Sequence, residues 1–277
     1  MRKKTVFWFS GIAFLWLLPY VFTLILNGID MAFLNRTPDV EDYLPAALSL
    51  QIPEDYKLEA IEAQAVIART NLYRKMQEEE DMTEILGEWR EEIRASTGRW
   101  KIPDSVYEEA VEETEGKILT AGGELKLVPY HEVSSGQTRD GASAFHSEEY
   151  AYLKSVDSSM DKEAPSYINS TYIAVQQMPS ELNIKERDES GYIVSLDVEG
   201  NILEGESFAQ GMGLSSSDFT IQRIGEEIRF LCKGRGHGLG FSQYGGNELA
   251  KEGSTWEEIL EIYFPAMEQT DYMELFM

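Results

Sequence analysis

Cysteine is almost absent from this chain: Cys232 is the one thiol in 277 residues. A single thiol excludes an internal disulfide and a Cys-rich zinc site. Histidine is nearly as scarce, at three residues, and basic residues are few, 24 Lys and Arg against 49 Asp and Glu. The formal net charge of −25 argues against nucleic acid as a partner, because phosphate binding needs a basic face. It argues equally against a polybasic hold on anionic lipid. Several common signatures are also missing. There is no G-x-G-x-x-G, no P-loop, no G-x-S-x-G, no internal repeat and no long low-complexity tract. What remains is 43% hydrophobic and 11% aromatic, enough for a sizeable core.

One hydrophobic run stands out. Thr5 to Leu26 carries no charge, follows Arg2, Lys3 and Lys4, and precedes Asp30. About 20 apolar residues span a bilayer, and the flanking charges place the N-terminus in the cytoplasm. The flank lacks a clear small-x-small cleavage site, which favours an uncleaved anchor over a signal peptide. The expected organisation is a cytoplasmic tip and transmembrane helix over residues 1–29, a linker over 30–40 and an extracytoplasmic domain over 41–277. The expected localisation is the cell membrane, single-pass, with the C-terminal domain outside.

Beyond the linker, Leu58 to Met76 repeats apolar residues at three- and four-residue spacing, which predicts a helix rich in alanine, with Asp55 as its cap. Gln77 to Ser96 reads as a second, acidic helix, and Ser105 to Thr114 as a third. After Gly116 the texture turns to strands, with candidates in YINSTYIAVQ, GYIVSLDVEG and EEIRFLCKG. Ser254 and Glu257 read as a capping box before a last helix that Pro265 ends. The fold class is α+β: a helical start, a β-rich middle and a helical end.

Two groups of residues invite chemistry. In GRGHGLG, Gly234 to Gly240, glycine alternates with other residues, so the backbone can pass close to another element, with His237 held between two of the glycines. His131 and His146 have acidic neighbours, but their spacing fits no standard zinc pattern.

Three segments together resemble one family. They are Glu41–Tyr73, containing A-x-A-V-x-A-R-T; Ala110–Ser158; and Gly234–Pro265, containing H-G-x-G-x-S-Q-Y-G. In content and order they are similar to the SpoIID/LytB family, the stage II sporulation protein D and amidase-enhancer proteins. The resemblance implies a peptidoglycan-directed protein. The sporulation member is a lytic transglycosylase that cleaves between MurNAc and GlcNAc and leaves 1,6-anhydro ends. A single acid suffices for that reaction. It protonates the glycosidic oxygen, and its carboxylate then takes the proton of the C6 hydroxyl.

The family carries that acid as the Glu of an A-x-E-M-P-like motif. Here the matching string is Ser49-Leu50-Gln51-Ile52-Pro53, and the acid position is an amide. Gln51 keeps the shape but cannot cycle a proton. Glu41, Glu54 and Asp55 lie near in sequence as alternative acids. The same resemblance implies Gln64, Arg69, Ser135, Thr138, His237, Ser242, Gln243 and Tyr244 as substrate-binding residues. Arg69 is open to a bracing role, and Tyr244 to core packing as well as to stacking on a sugar ring. The middle segment departs from the family at Gln137, where glycine is usual, and the acidic stretch Gln77–Lys101 replaces a more extended one. No cofactor and no metal are expected. The expected partners are glycan strands, a cell-wall amidase or other sporulation membrane proteins, and the membrane through the N-terminal helix.

Overall fold

The computed structural model describes residues 40–78 and 105–276. The chain divides into two compact units, Met1–Tyr43 and Leu44–Met277. Of the first, the described part is a turn in which the Tyr43 N–H donates to the Val40 carbonyl at 3.1 Å. The second contains every element below.

It opens with α1 (Leu44–Gln51) and α2 (Leu58–Gln77). α2 is the central helix. Its residues from Ala60 to Thr70 are all buried, so it lacks the single wet face that an amphipathic surface helix would show. The small alanines Ala60, Ala63, Ala65 and Ala68 allow neighbours to close in on several sides. One neighbour is α3 (Ser105–Glu113), and another is β1 (Lys117–Thr120), paired antiparallel with β10 (Glu268–Asp271). Further neighbours are α1, α6 (Gln243–Glu252) and α7 (Trp256–Tyr263). Val66, Ile67, Leu119, Phe241, Leu260 and Tyr263 form the core of this body.

Asp55 does not cap α2. The N-cap is Lys57, with no side-chain cap; its N–H is taken by Asn247 Oδ1 at 2.8 Å, a tertiary contact that local sequence does not reveal. The capping box of α7 also lies one residue later than expected, at Thr255 and Glu258 rather than Ser254 and Glu257.

Between these parts run β2 (Tyr130–His131), the short α4 (Gly141–Phe145) and a β lobe. The lobe has two three-stranded antiparallel sheets. One is ordered β3 (Ile168–Ala174), β8 (Glu227–Lys233), β7 (Phe219–Ile224). The other is ordered β4 (Leu182–Arg187), β5 (Ile193–Val198), β6 (Asn201–Glu204), with α5 (Gly205–Gly211) following it. Period-two alternation turns Phe230 and Cys232 inward on β8. On β5 both Ile193 and Leu196 are buried, although an unbroken strand would send residues three apart to opposite faces; register shifts against β4 account for it. The lobe core is Phe208, Phe219 and Phe230, the last two in edge contact at 5.4 Å. The last short strand, β9 (Phe241–Ser242), pairs in parallel with β2 and leads directly into α6.

The α+β class holds for this unit, but the expected membrane helix does not carry over. The run Thr5–Leu26 lies outside the described residues. Among the described residues no helix is long and apolar enough to cross a membrane. The longest, α2, carries Glu59, Glu62, Arg69, Arg74 and Lys75, too many charges for a hydrocarbon core. The expected single-pass anchor, the membrane as a partner and the single-pass localisation are therefore withdrawn. Most of the expected acidic helix Gln77–Ser96 also falls outside the described residues.

Candidate functional site

Three glutamines distant in sequence meet where α1, α2 and α6 converge. α1 ends at Gln51, and a turn through Pro53 reverses the chain into α2. One and a half turns into α2, Gln64 is fully buried beneath that turn. Its Nε2 donates to Gln51 Oε1 at 2.9 Å. Gln243, the first residue of α6, donates from Nε2 to the Gln51 carbonyl at 2.7 Å and to Gln64 Oε1 at 3.0 Å. Beside them opens a cleft of about 590 Å³, lined by Gln51, Glu54, Asp55, Tyr107, Glu132 and Gln243 among others. Tyr107, from α3, closes one wall by donating its hydroxyl to the Ile52 carbonyl at 2.8 Å.

A second buried group anchors Gln243 from behind. Asp161 is wholly buried and accepts from the Ser134 N–H at 2.8 Å, Ser158 Oγ at 3.0 Å and Ser242 Oγ at 2.9 Å. Burial raises its carboxyl above the usual range, and these donors pull the other way. Ser242 in turn caps α6 by accepting from the Gly245 N–H at 3.3 Å. The path Asp161, Ser242, Gln243, Gln64, Gln51 is thus continuous through buried side chains and one helix cap.

The mouth of the cleft is acidic. Burial, then Glu132 and Asp55, push the Tyr56 hydroxyl up to about 12. Glu132 is held by Arg235 Nε at 2.9 Å and Ser166 Oγ at 3.3 Å. Such a mouth disfavours an anionic group of a ligand directly beside Glu54, Asp55 and Glu132.

The other expected site residues lie elsewhere. Arg69 is fully buried and donates to Thr114 Oγ1 at 3.3 Å, the Lys117 carbonyl at 3.1 Å and the Val111 carbonyl at 3.2 Å. It braces α2 against α3 and β1. Ser135 donates from Oγ to the Ser190 carbonyl at 3.1 Å, and the buried Thr138 accepts at Oγ1 from the Val156 N–H at 2.8 Å. Both knit loops beside the β lobe. Tyr244 is half-buried, and its N–H donates to the Glu132 carbonyl at 3.0 Å.

His237 lies in the glycine loop, where Gly236 and Gly238 adopt φ of 105° and 76°. A Cβ at Gly236 would meet the His131 side chain at 2.8 Å, and one at Gly238 would overlap the Tyr192 ring. The alternating glycines therefore serve close approach of the backbone. His237 Nδ1 accepts from the Leu239 N–H at 3.1 Å, and its ring lies 5.8 Å from that of His131. His131 donates from Nδ1 to the Leu239 carbonyl at 3.0 Å, which leaves Nε2 buried without a hydrogen-bond partner among the described residues. Burial, then His237, hold His131 down at about 3; burial, then Arg139, hold His237 at about 4. Both are neutral near pH 7. No group of three or more His, Cys, Asp or Glu among the described residues could hold a metal ion. Glu132, Tyr107 and Asp161 went unmarked in the sequence; none belongs to a spacing pattern, and only the fold brings them to the site.

Residues 32–120 match the family model described as SpoIID, stage II sporulation protein. Stage II sporulation protein D of Bacillus subtilis is 29% identical over 249 residues, covering 81% of this chain and 72% of that protein. The likeness to stage II sporulation protein D extends well beyond the segment that the family model matches. Stage II sporulation protein D of Bacillus amyloliquefaciens is 26% identical over 260 residues, 83% of this chain and 73% of its own. A shorter likeness, 35% identity over 57 residues, links 21% of the chain to 8% of the amidase enhancer of Bacillus subtilis. The family match contains the turn and the central helix that carry Gln51 and Gln64.

Proposed function

We propose that this chain works in cell-wall remodelling during sporulation by binding peptidoglycan glycan strands in the Gln51 cleft without cutting them. In doing so it holds the strands, or recruits and stimulates a true hydrolase such as an amidase. The observation that carries this reading is the amide at position 51. It lines the cleft and is bonded by Gln64, where the family resemblance implies a catalytic acid. General acid–base catalysis is worth about 10²–10⁴-fold, and an amide supplies none of it.

A second reading is an active lytic transglycosylase that uses another acid. It is favoured by Glu132, Glu54 and Asp55, which line the same cleft. Glu132 has both oxygens engaged, by Arg235 and Ser166, and Glu54 and Asp55 are exposed to water. None of them has the secluded, singly engaged setting of a proton-cycling acid.

The test incubates the full-length protein with glycan strands stripped of peptide and seeks 1,6-anhydro-MurNAc ends by mass spectrometry, with Gln51→Glu run alongside. The natural protein is expected to bind strands and release no anhydro ends, and Gln51→Glu to release them. Anhydro ends from the natural protein would overturn the reading in favour of the second.

A further inference from the structure

The orientation of three amides follows from one atom that can only accept. The Gln51 carbonyl has no proton, so the Gln243 atom 2.7 Å from it must be Nε2. That same nitrogen lies 3.0 Å from the Gln64 side chain, so the Gln64 atom facing it must be Oε1. Gln64 therefore turns Nε2 towards Gln51, and the Gln51 atom 2.9 Å away must be Oε1. Side-chain amides are normally ambiguous in this respect. Here the backbone carbonyl fixes all three. The consequence falls on the cleft. Gln51 spends its oxygen inward, and its amide nitrogen, with two protons, bonds none of the described residues and is left to the cleft that Gln51 lines.

We infer that Gln64 and Gln243 are positioning residues that make Gln51 a dedicated hydrogen-bond donor, selecting an acceptor oxygen of the ligand. This rests on the reading that the cleft takes glycan, whose glycosidic, ring and N-acetyl carbonyl oxygens supply such acceptors. The relay works by depriving Gln51 of choice. A free glutamine offers donor or acceptor with equal ease. This one has its oxygen held towards Gln64, with one lone pair already engaged, while its amide protons have no partner among the described residues. Gln64 and Gln243 are 0% and 4% exposed, so water does not readily replace the Gln64 bond. Asp161 and Ser242 fix the start of α6, the backbone from which Gln243 projects.

Side-chain amide NMR and calorimetry on the full-length protein test this together. Gln51→Met assigns the Gln51 amide pair by its disappearance, and Gln64→Met and Gln243→Met assign the others. In the free protein the Gln51 pair should exchange rapidly with D2O, while the Gln64 and Gln243 pairs are protected. Adding oligosaccharides of alternating GlcNAc and MurNAc should shift the Gln51 pair and leave the others nearly in place. Gln64→Met and Gln243→Met should each weaken binding about tenfold or more, with unchanged circular dichroism.

A protected Gln51 pair beside a freely exchanging Gln64 pair would overturn the relay, as would Gln64→Met binding as tightly as the natural chain. Absence of glycan binding by the natural protein would sink the proposed ligand instead. The exchange order in the free protein still decides the relay in that case, and equally if the Met variants at 64 or 243 fail to fold.

Discussion

The helical body and the β lobe bury different things. The lobe closes over Phe208, Phe219 and Phe230, an apolar cluster. The body closes over an apolar core too, but it also takes in Gln64, Arg69, Thr70, Asp161 and Ser242, each with hydrogen-bond partners. Burying a polar group is unfavourable unless its bonds are made, so such a network persists only where geometry satisfies it. In the body the satisfied groups lead towards the cleft. The lobe core carries stability, whereas the body core carries stability and orientation together.

The two meet at a buried pair. Arg139 Nε lies 2.6 Å from Asp188 Oδ2, with both side chains nearly inaccessible. Arg139 also donates to the His237 carbonyl at 3.3 Å, and its guanidinium sits 5.0 Å from the Tyr192 ring. Asp188, at the end of the β4–β5 hairpin, is thereby tied to the glycine loop that leads into α6.

The contrast can be sharpened first at Phe230. Phe230→Ala should cost about 3–5 kcal/mol in urea denaturation, by the same amount at pH 5 and pH 8, because the deleted contacts do not titrate.

Glu62 in the body should behave differently. It is buried on α2 beside Glu59, and burial, then Glu59, push its carboxyl up to about 8. A raised carboxyl stabilises the fold below its unfolded value, near 4.5, and that contribution is lost as pH rises through about 8. Glu62→Gln keeps the neutral shape. It should leave stability nearly unchanged at pH 4 and raise it by about 1 kcal/mol or more at pH 8, read by denaturation at each pH. An equal effect at both would mean that folding does not raise the Glu62 carboxyl.

The smallest effect belongs to the α7 cap. Thr255→Ala should cost about 1 kcal/mol, whereas Ser254→Ala should stay within about 0.5 kcal/mol. Thermal denaturation of the two variants separates the observed box from the one expected a residue earlier.

That displaced box shows where sequence reading loses precision. S-T-W-E-E admits two overlapping boxes, and only the direction of the first turn chooses between them. The cap of α2 was illegible for a different reason, since its partner Asn247 stands 190 residues away. The strands of β3, β5 and β8 were legible because alternation and flanking turn residues are local. The glycine loop was legible as a place of close approach, but not in what approaches. His131 and Tyr192 come from separate segments.

The candidate site divides along the same line. Gln51 was marked by its motif, and Gln64 and Gln243 by theirs, yet nothing in their spacing says that they touch. Arg69 sits in the same motif as Gln64, five residues on. More than a full turn separates the two on α2, so Gln64 meets Gln51 while Arg69 is directed to Thr114, Val111 and Lys117.

By itself, then, the sequence determined the α+β class, the alanine-rich helix, the glycine loop and the amide at position 51. These depend on period, on the absence of a Cβ and on residue identity, all of them properties of a short stretch of chain. The tertiary structure alone decided which polar groups share a bond. It brought Gln243 to Gln51 across 192 residues, buried Asp161 behind Ser242 and assigned Arg69 to bracing. Hydrogen bonds between distant residues depend on packing to within a fraction of an ångström, and no local pattern encodes that.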